Sequence, residues 1–178
     1  MSTQRNRKSK QRQPKQPLSV ARPKEILLDE CFLLCASGVG CDSTQCHDEA
    51  EADERKFSAL LALLMARKKA ILLVLDEDNQ VAGFYRDKYK YLSRDVPEIL
   101  MEWLNKRTTK RKPAKINQKA IKDCNLKTDK LDPILCQLAV ACRGQAPIWT
   151  LDSDFWCATE FHPEIRPTCP KEAMESVT

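Results

Sequence analysis

Glu25-Ile26-Leu27-Leu28-Asp29 holds three consecutive aliphatic residues and ends on an acid. A short unbroken apolar run has no polar face to turn to water, so it predicts a strand covered on both sides, as in a parallel sheet with helices above and below. Upstream, Gln, Lys, Arg, Ser and Pro dominate as far as Pro23. A segment of that composition cannot bury enough apolar surface to order itself, which predicts a disordered basic tail over 1–24 and a fold that starts at 25. Downstream, Phe32 to Ala36 predicts a short helix stopped by Gly38 and Gly40, and Phe57, Leu60, Leu61, Leu64 and Met65 recur at helical spacing within 48–69. Ala70 to Leu75 predicts a second buried strand, closed by the turn residues Asp76-Glu77-Asp78-Asn79.

Helices are expected over 81–91 and 96–104, the latter with Pro97 in its first turn. A further helix over 131–142 has Asp132 as N-cap, Pro133 as its first helical residue and Gly144 as its stop. Pro147 to Leu151 predicts the last strand, which runs into Asp152-Ser153-Asp154, while 106–122 has no sustained period and reads as a loop around a short helix. Strands alternating with helices imply an α/β domain over 25–165, a central mostly parallel sheet flanked by helices in a three-layer sandwich, with 166–178 as a C-terminal tail.

The chain has 178 residues, enough for one domain with a substantial core. Its longest apolar stretches are broken by Arg67, Lys68 and Lys69, well short of the roughly 20 apolar residues of a membrane helix. The basic N-terminus is followed by no apolar stretch or cleavage site, so secretion is not expected. Nine cysteines are an odd number for a disulfide framework, and Cys31, Cys35, Cys136 and Cys142 lie in apolar runs, so they read as reduced thiols of a cytoplasmic protein. The net charge of +5 conceals a segregation. Residues 1–24 and 106–122 carry eight Lys or Arg each and no acid, so 16 of the 30 cations lie there and the remaining 14 face 25 Asp and Glu. An acidic body with two basic segments suits a divalent cation on the body and a polyanion on the segments, with Lys110, Arg111, Lys112, Lys115 and Lys119 as candidate phosphate contacts.

In a parallel sheet ligands gather beyond the carboxyl ends of the strands. Asp29 follows the first strand, Asp152 and Asp154 follow the last, and Asp132 opens the helix before that last strand, so these four acids are expected at one edge. Carboxylates brought together repel unless a cation neutralises them, and oxygen ligands without a histidine cluster favour Mg²⁺ or Mn²⁺. Metal-assisted phosphodiester hydrolysis is the chemistry such a site suits. Each acid also has a plainer role: Asp132 as a helix cap, Asp152 or Asp154 as a turn former.

Glu-Ile-Leu-Leu-Asp29, Leu-Asp132-Pro-Ile-Leu-Cys-Gln-Leu-Ala-Val-Ala and Ile-Trp-Thr-Leu-Asp152-Ser-Asp154-Phe together resemble the first, third and fourth acidic motifs of PIN-domain proteins, in order and spacing over about 130 residues. The resemblance implies a Mg²⁺- or Mn²⁺-dependent ribonuclease with a central parallel sheet, in which Asp29, Asp132 and Asp152 are metal ligands and Asp154 is a supporting acid. It implies RNA as the partner, and, for the toxin-type members, a cognate antitoxin protein. The family usually supplies another acid from a mid-chain helix, often just before a tyrosine. Here that stretch reads Val-Ala-Gly83-Phe84-Tyr85, with Asp76 and Asp87 as the nearest substitutes. Without a substitute the fold would persist as a PIN-like module that binds nucleic acid or protein without cutting, and a third option is an assembly protein anchored by its basic tail.

Asp152-Ser153-Asp154 also resembles the Asp-x-Asp of haloacid-dehalogenase-type phosphatases, but that motif opens its domain and only 24 residues follow Asp154 here. Cys35, Cys41, Cys46 and His47 could hold zinc, although their spacing is not that of a Cys-x-x-Cys knuckle. Neither histidine is paired with a cysteine in a protease-like motif.

Overall fold

The structure, a computed structural model, describes residues 22–39, 50–93, 95–126 and 130–178. β1 (Glu25–Leu28) lies at the centre of a five-stranded sheet, with Ile26, Leu27 and Leu28 fully buried. The other strands are β2 (Leu72–Asp76), β3 (Thr108–Arg111), β4 (Ile148–Trp149) and β5 (Pro167–Thr168), and the order is β3-β2-β1-β4-β5. All four pairings are parallel, so the sheet is wholly parallel.

The helices are α1 (Glu30–Ala36), α2 (Ala52–Lys68), α3 (Gln80–Lys88), α4 (Val96–Lys106), α5 (Gln118–Asp123), α6 (Leu131–Ala141), α7 (Asp154–Ala158) and α8 (Pro170–Val177). A 3₁₀ turn, Tyr89–Tyr91, extends α3. The chain steps one way from β1 through β2 to β3, then returns past β1 to β4 and β5. With right-handed crossovers this puts α1 to α4 on one face and α5 to α7 on the other. Most helix contacts agree: α2 packs on α1 and α4, and α6 packs on β1, β2 and α7, while α3 and α6 also touch. Three layers follow. Between them Phe32 and Trp149 meet with ring centroids 5.4 Å apart, and two polar side chains are anchored: Trp103 Nε1 donates to Ile71 O at 2.9 Å and the Tyr85 hydroxyl donates to Leu28 O.

Several boundaries differ from the sequence expectations, each for a physical reason. Thr108-Thr-Lys-Arg111 was expected to be loop, yet it pairs with β2 from Leu73↔Thr108 to Asp76↔Arg111. An edge strand needs no apolar alternation, and its charged residues discourage pairing with a further strand. Residues 166–178, expected as a tail, supply β5 and α8. Pro167 is tolerated at the sheet's other edge, and α8 packs on α2 through buried Pro170, Ala173 and Val177. Asp132 was expected ahead of its helix, but α6 starts at Leu131, so Asp132 lies in the first turn. Cys31, Cys35, Cys136, Cys142 and Cys169 are outside any disulfide, whereas Cys124 and Cys157 are joined, tying α5 to α7. The zinc suggestion falls on Cys41, Cys46 and His47, outside the described residues, as do residues 1–21 of the basic tail. Among the described residues no helix is long and apolar enough to cross a membrane.

Because α8 covers α2, a chain ending at Ile165 is expected to lose its cooperative thermal transition. Retention of the full-length melting curve by that truncation would mean that residues 166–178 are dispensable to the fold.

Candidate functional site

The strand order reverses between β1 and β4, and crevices at such reversals, beyond the carboxyl ends, are where open α/β sheets bind ligands. The ladder sets the two chains level there: Leu28 pairs with Trp149, and Asp29 N donates to Trp149 O at 3.0 Å. Asp29 and Thr150 are thereby brought face to face. Thr150 Oγ1 donates to Asp29 Oδ2 at 2.7 Å, and Cys31 Sγ, from the second residue of α1, donates to the same oxygen at 2.7 Å.

The loop after β4 is folded around these groups. Leu151 N donates to Cys31 Sγ at 3.1 Å, Asp152 N to Thr150 Oγ1 at 2.9 Å, and Asp154 N to Asp152 Oδ1 at 2.9 Å. The last bond is the local turn that an aspartate makes with the backbone two residues on, and it launches α7. Asp152 therefore serves its own turn, but it also stands close enough to Asp29 to be felt.

Asp29 is 5 % exposed. Burial pushes its carboxyl up to about 6, the hydrogen bonds from Cys31 and Thr150 pull it down, and the charge of Asp152 raises it again. Burial, followed by the Asp29 charge, pushes the Cys31 thiol well above its ordinary range, so it remains a protonated donor. Asp154 is raised by partial burial and by Asp152. Asp132 is buried on α6, and its charge and that of Asp29, after burial itself, both raise the Cys136 thiol one turn along the helix.

Of the two substitutes for the missing mid-chain acid, Asp76 is fully buried and occupied. Its Oδ2 accepts from Gln80 N and its Oδ1 from Val81 N, both at 2.9 Å, so it satisfies the open amides at the start of α3. Asp87 is exposed on α3. At Gly83 a Cβ atom would meet nothing within 4 Å, so the place of the absent carboxylate is open space.

The basic candidates separate. Lys110 Nζ donates to Asn79 Oδ1 at 2.8 Å beside the start of α3, while Lys112 and Lys115 are exposed as the chain leaves β3. Lys119 lies on α5, 4.0 Å from Asp123, and Arg111 turns to Glu25 at 2.8 Å. Sequence reasoning missed Cys31 and Thr150 as partners of Asp29, because their contacts span the chain. It also missed Tyr89 and Tyr91, 41 % and 56 % exposed, with Lys90 Nζ 4.9 Å from the Tyr91 ring centroid. Their signal was an alternation of lysine and tyrosine over 88–91 within an expected helix. Lys88 places them near the site, since its ammonium is 2.6 Å from Glu30, the neighbour of Asp29.

Among the described residues, no group of three or more His, Cys, Asp or Glu side chains is arranged to hold a metal ion. Among the acids, the charge of Asp152 acts on Asp29. Two carboxylates, with water filling the remaining positions, suit Mg²⁺, which dehydrates reluctantly and shares phosphate oxygens. The chain matches no family model, no curated protein and no solved structure.

With its carboxyl raised from 3.8 to about 6, folded Asp29 retains a proton that the unfolded chain releases between those values. That contribution is fully present below pH 3.8 and is lost as pH rises through about 6, a span worth about 3 kcal/mol. Asp29→Asn, measured by denaturant unfolding in EDTA, is therefore expected to stabilise the chain by about 1–3 kcal/mol at pH 7.5 and to flatten the fall in stability between pH 4 and 7. Lower stability than the parent at pH 7.5 would mean that the ionised carboxyl is well compensated.

Proposed function

We propose that the chain is a PIN-like nuclease that hydrolyses phosphodiester bonds of RNA at the carboxyl edge of its sheet with the help of Mg²⁺ or Mn²⁺. The observation that carries this is Asp29: a buried carboxyl facing a second one, Asp152, at the strand-order reversal, with no cation paired to either among the described residues. An aspartate kept there for stability alone would be better replaced by asparagine, and the motifs around Asp29, Asp132 and Asp152 resemble the family's acids in order and spacing.

The roles of the chain's own groups follow from their contacts. Thr150 and Cys31 hold Asp29 in one orientation, and the turn from Asp152 to Asp154 fixes Asp152 beside it. These two carboxylates would hold the ion, with Asp132 and Asp154 as outer acids. A bound divalent ion supplies water activation and charge stabilisation on the leaving oxygen. Lys110, near the end of β3, and Lys112 and Lys115, beyond it, would receive the phosphate backbone. Tyr89 and Tyr91 are exposed rings on which unpaired bases could stack, with the Lys90 ammonium already over one face of Tyr91, which would favour single-stranded RNA over duplex. A cytoplasmic setting, where thiols are kept reduced, goes with such a substrate, and Cys124 and Cys157 would then stand largely as thiols.

A second reading, a PIN-like module that binds without cutting, is favoured by one observation: Asp76 is spent on α3 and Gly83 leaves the place of a further acid open.

Purified protein is expected to cleave single-stranded RNA with Mg²⁺ or Mn²⁺ and not in EDTA, with Asp29→Asn or Asp152→Asn lowering the rate at least 100-fold. Cleavage that survives either substitution would remove the nuclease assignment. Gly83→Glu separates the two readings. It relieves a helical glycine, stabilising α3 by roughly 0.5–1 kcal/mol, and restored acidity should raise a weak metal-dependent cleavage at least tenfold. A well-folded Gly83→Glu protein that binds RNA but never cuts it would favour the binding module.

A further inference from the structure

We propose that a cavity at the amino-terminal edge of the sheet, the edge opposite Asp29, binds a ligand carrying two or more adjacent phosphate groups. The cavity has a volume of about 1270 Å³ and is bordered by Glu25 and Leu72 at the starts of β1 and β2 and by Pro147 and Pro167 at the entries to β4 and β5. Five cations line it: Arg22, Lys24, Arg111, Arg143 and Arg166. Three acids share the wall: Glu25, which pairs with Arg111 at 2.8 Å, Glu172, which accepts from Cys169 N at the start of α8 and keeps its charge, and Glu175, so five cations face three carboxylates. Among the described residues Arg22, Lys24, Arg143 and Arg166 enter no ion pair, and Arg166 spends one guanidinium N–H on Gly144 O at 3.1 Å. Unneutralised guanidiniums around one concave space are a receptor for oxyanions, whose geometry they match in pairs.

Arg143 follows α6 with φ 52°, the left-handed region, and Gly144 N closes back on Ala139 O at 3.3 Å. Glycine is most at ease at that position after a helix, and Ala70 takes the same conformation after α2 with φ 55°, so what Arg143 adds to this turn is a charge on the cavity wall. Its neighbour Arg166 lies over Gly144, where a Cβ atom would stand 3.5 Å from Arg166 Cδ, so the two arginines flank the same turn. Arg22 and Lys24, the last of the eight cations in 1–24, stand at the cavity's rim. The ligand's phosphates could belong to a free oligophosphate or to an RNA strand, and both present the same chemistry.

The experiment measures binding of inorganic triphosphate, by calorimetry, and of a ten-nucleotide single-stranded RNA with a 5′-hydroxyl, by fluorescence anisotropy, to the full chain in EDTA. EDTA keeps divalent ions from the carboxyl edge, so the outcome does not depend on the nuclease proposal. Arg143→Gly is the informative variant, because it removes the charge while suiting the backbone. It is expected to raise Tm by about 2–4 °C while weakening triphosphate at least tenfold, with Arg22→Ala weakening it in the same direction. If triphosphate does not bind but the RNA loses tenfold on Arg143→Gly, the site stands and its phosphates come from a strand. Affinities for both probes within twofold of the parent in Arg143→Gly and Arg22→Ala, or no binding of either probe, would overturn the proposal.

Discussion

The buried hydrogen bond from Thr150 Oγ1 to Asp29 Oδ2 joins the two strands that flank the strand-order reversal, and much of the carboxyl edge is organised around it. It exists because β1 and β4 pair in a register that puts Leu28 beside Trp149, so the next residues of both chains meet. An ionised Asp29 in that position costs about 3 kcal/mol. Ile26, Leu27 and Leu28, each fully buried, contribute about 1.5–3 kcal/mol apiece, so the strand is held with the acid at its end. Cys31, Leu151 and the turn at Asp152 then arrange themselves on the same pair of groups. The site is thus a by-product of a central strand whose apolar residues tolerate one unfavourable neighbour.

What the sequence makes legible is what is periodic or local. Ile26 to Leu28, Leu72 to Leu75 and the spacing on α2 declare a doubly covered sheet because each of these residues must avoid water. The order of the acids is legible too, since strand ends define the edge that Asp29 and Asp152 occupy. Less legible is anything decided by pairing at a distance. Thr108 to Arg111 has no apolar signature, since an edge strand is half in solvent; the ladder with β2 alone makes it a strand. Pro167 and Thr168 are too few to show a period, and α8 is defined by the face of α2 that it covers. Cys124 and Cys157 are 33 residues apart, and nothing in either neighbourhood names the other.

Asp76 illustrates how composition misleads about acids. Placed at the end of a strand, like Asp29, it invites the same role. The difference lies in what comes next: α3 begins within reach, and its first open amides claim both carboxylate oxygens. Beyond Asp29 the chain also enters a helix, yet there the side-chain hydrogen bonds come from the Cys31 thiol of that helix and from Thr150 beyond β4, and both land on one oxygen. A carboxylate answered by its own helix is a cap. Asp29, answered in part from beyond β4 and facing the charge of Asp152, is not accounted for as a cap.

The charge segregation gains meaning from the geometry. Asp29, Asp152 and Asp154 lie beyond the carboxyl ends of β1 and β4, while Arg143, Arg166, Arg22 and Lys24 line a cavity at the amino edge. A polyanion is drawn to the second edge and to the lysines that leave β3, and is repelled at the first unless a cation intervenes. At physiological ionic strength such fields decay within about 8 Å, so each edge acts on what is close to it and the two do not cancel across the sheet. Affinity and chemistry are therefore separable in this molecule. Contacts with phosphate need only the cations the chain already carries, whereas anything done to a phosphodiester beside Asp29 and Asp152 requires their charge to be met first.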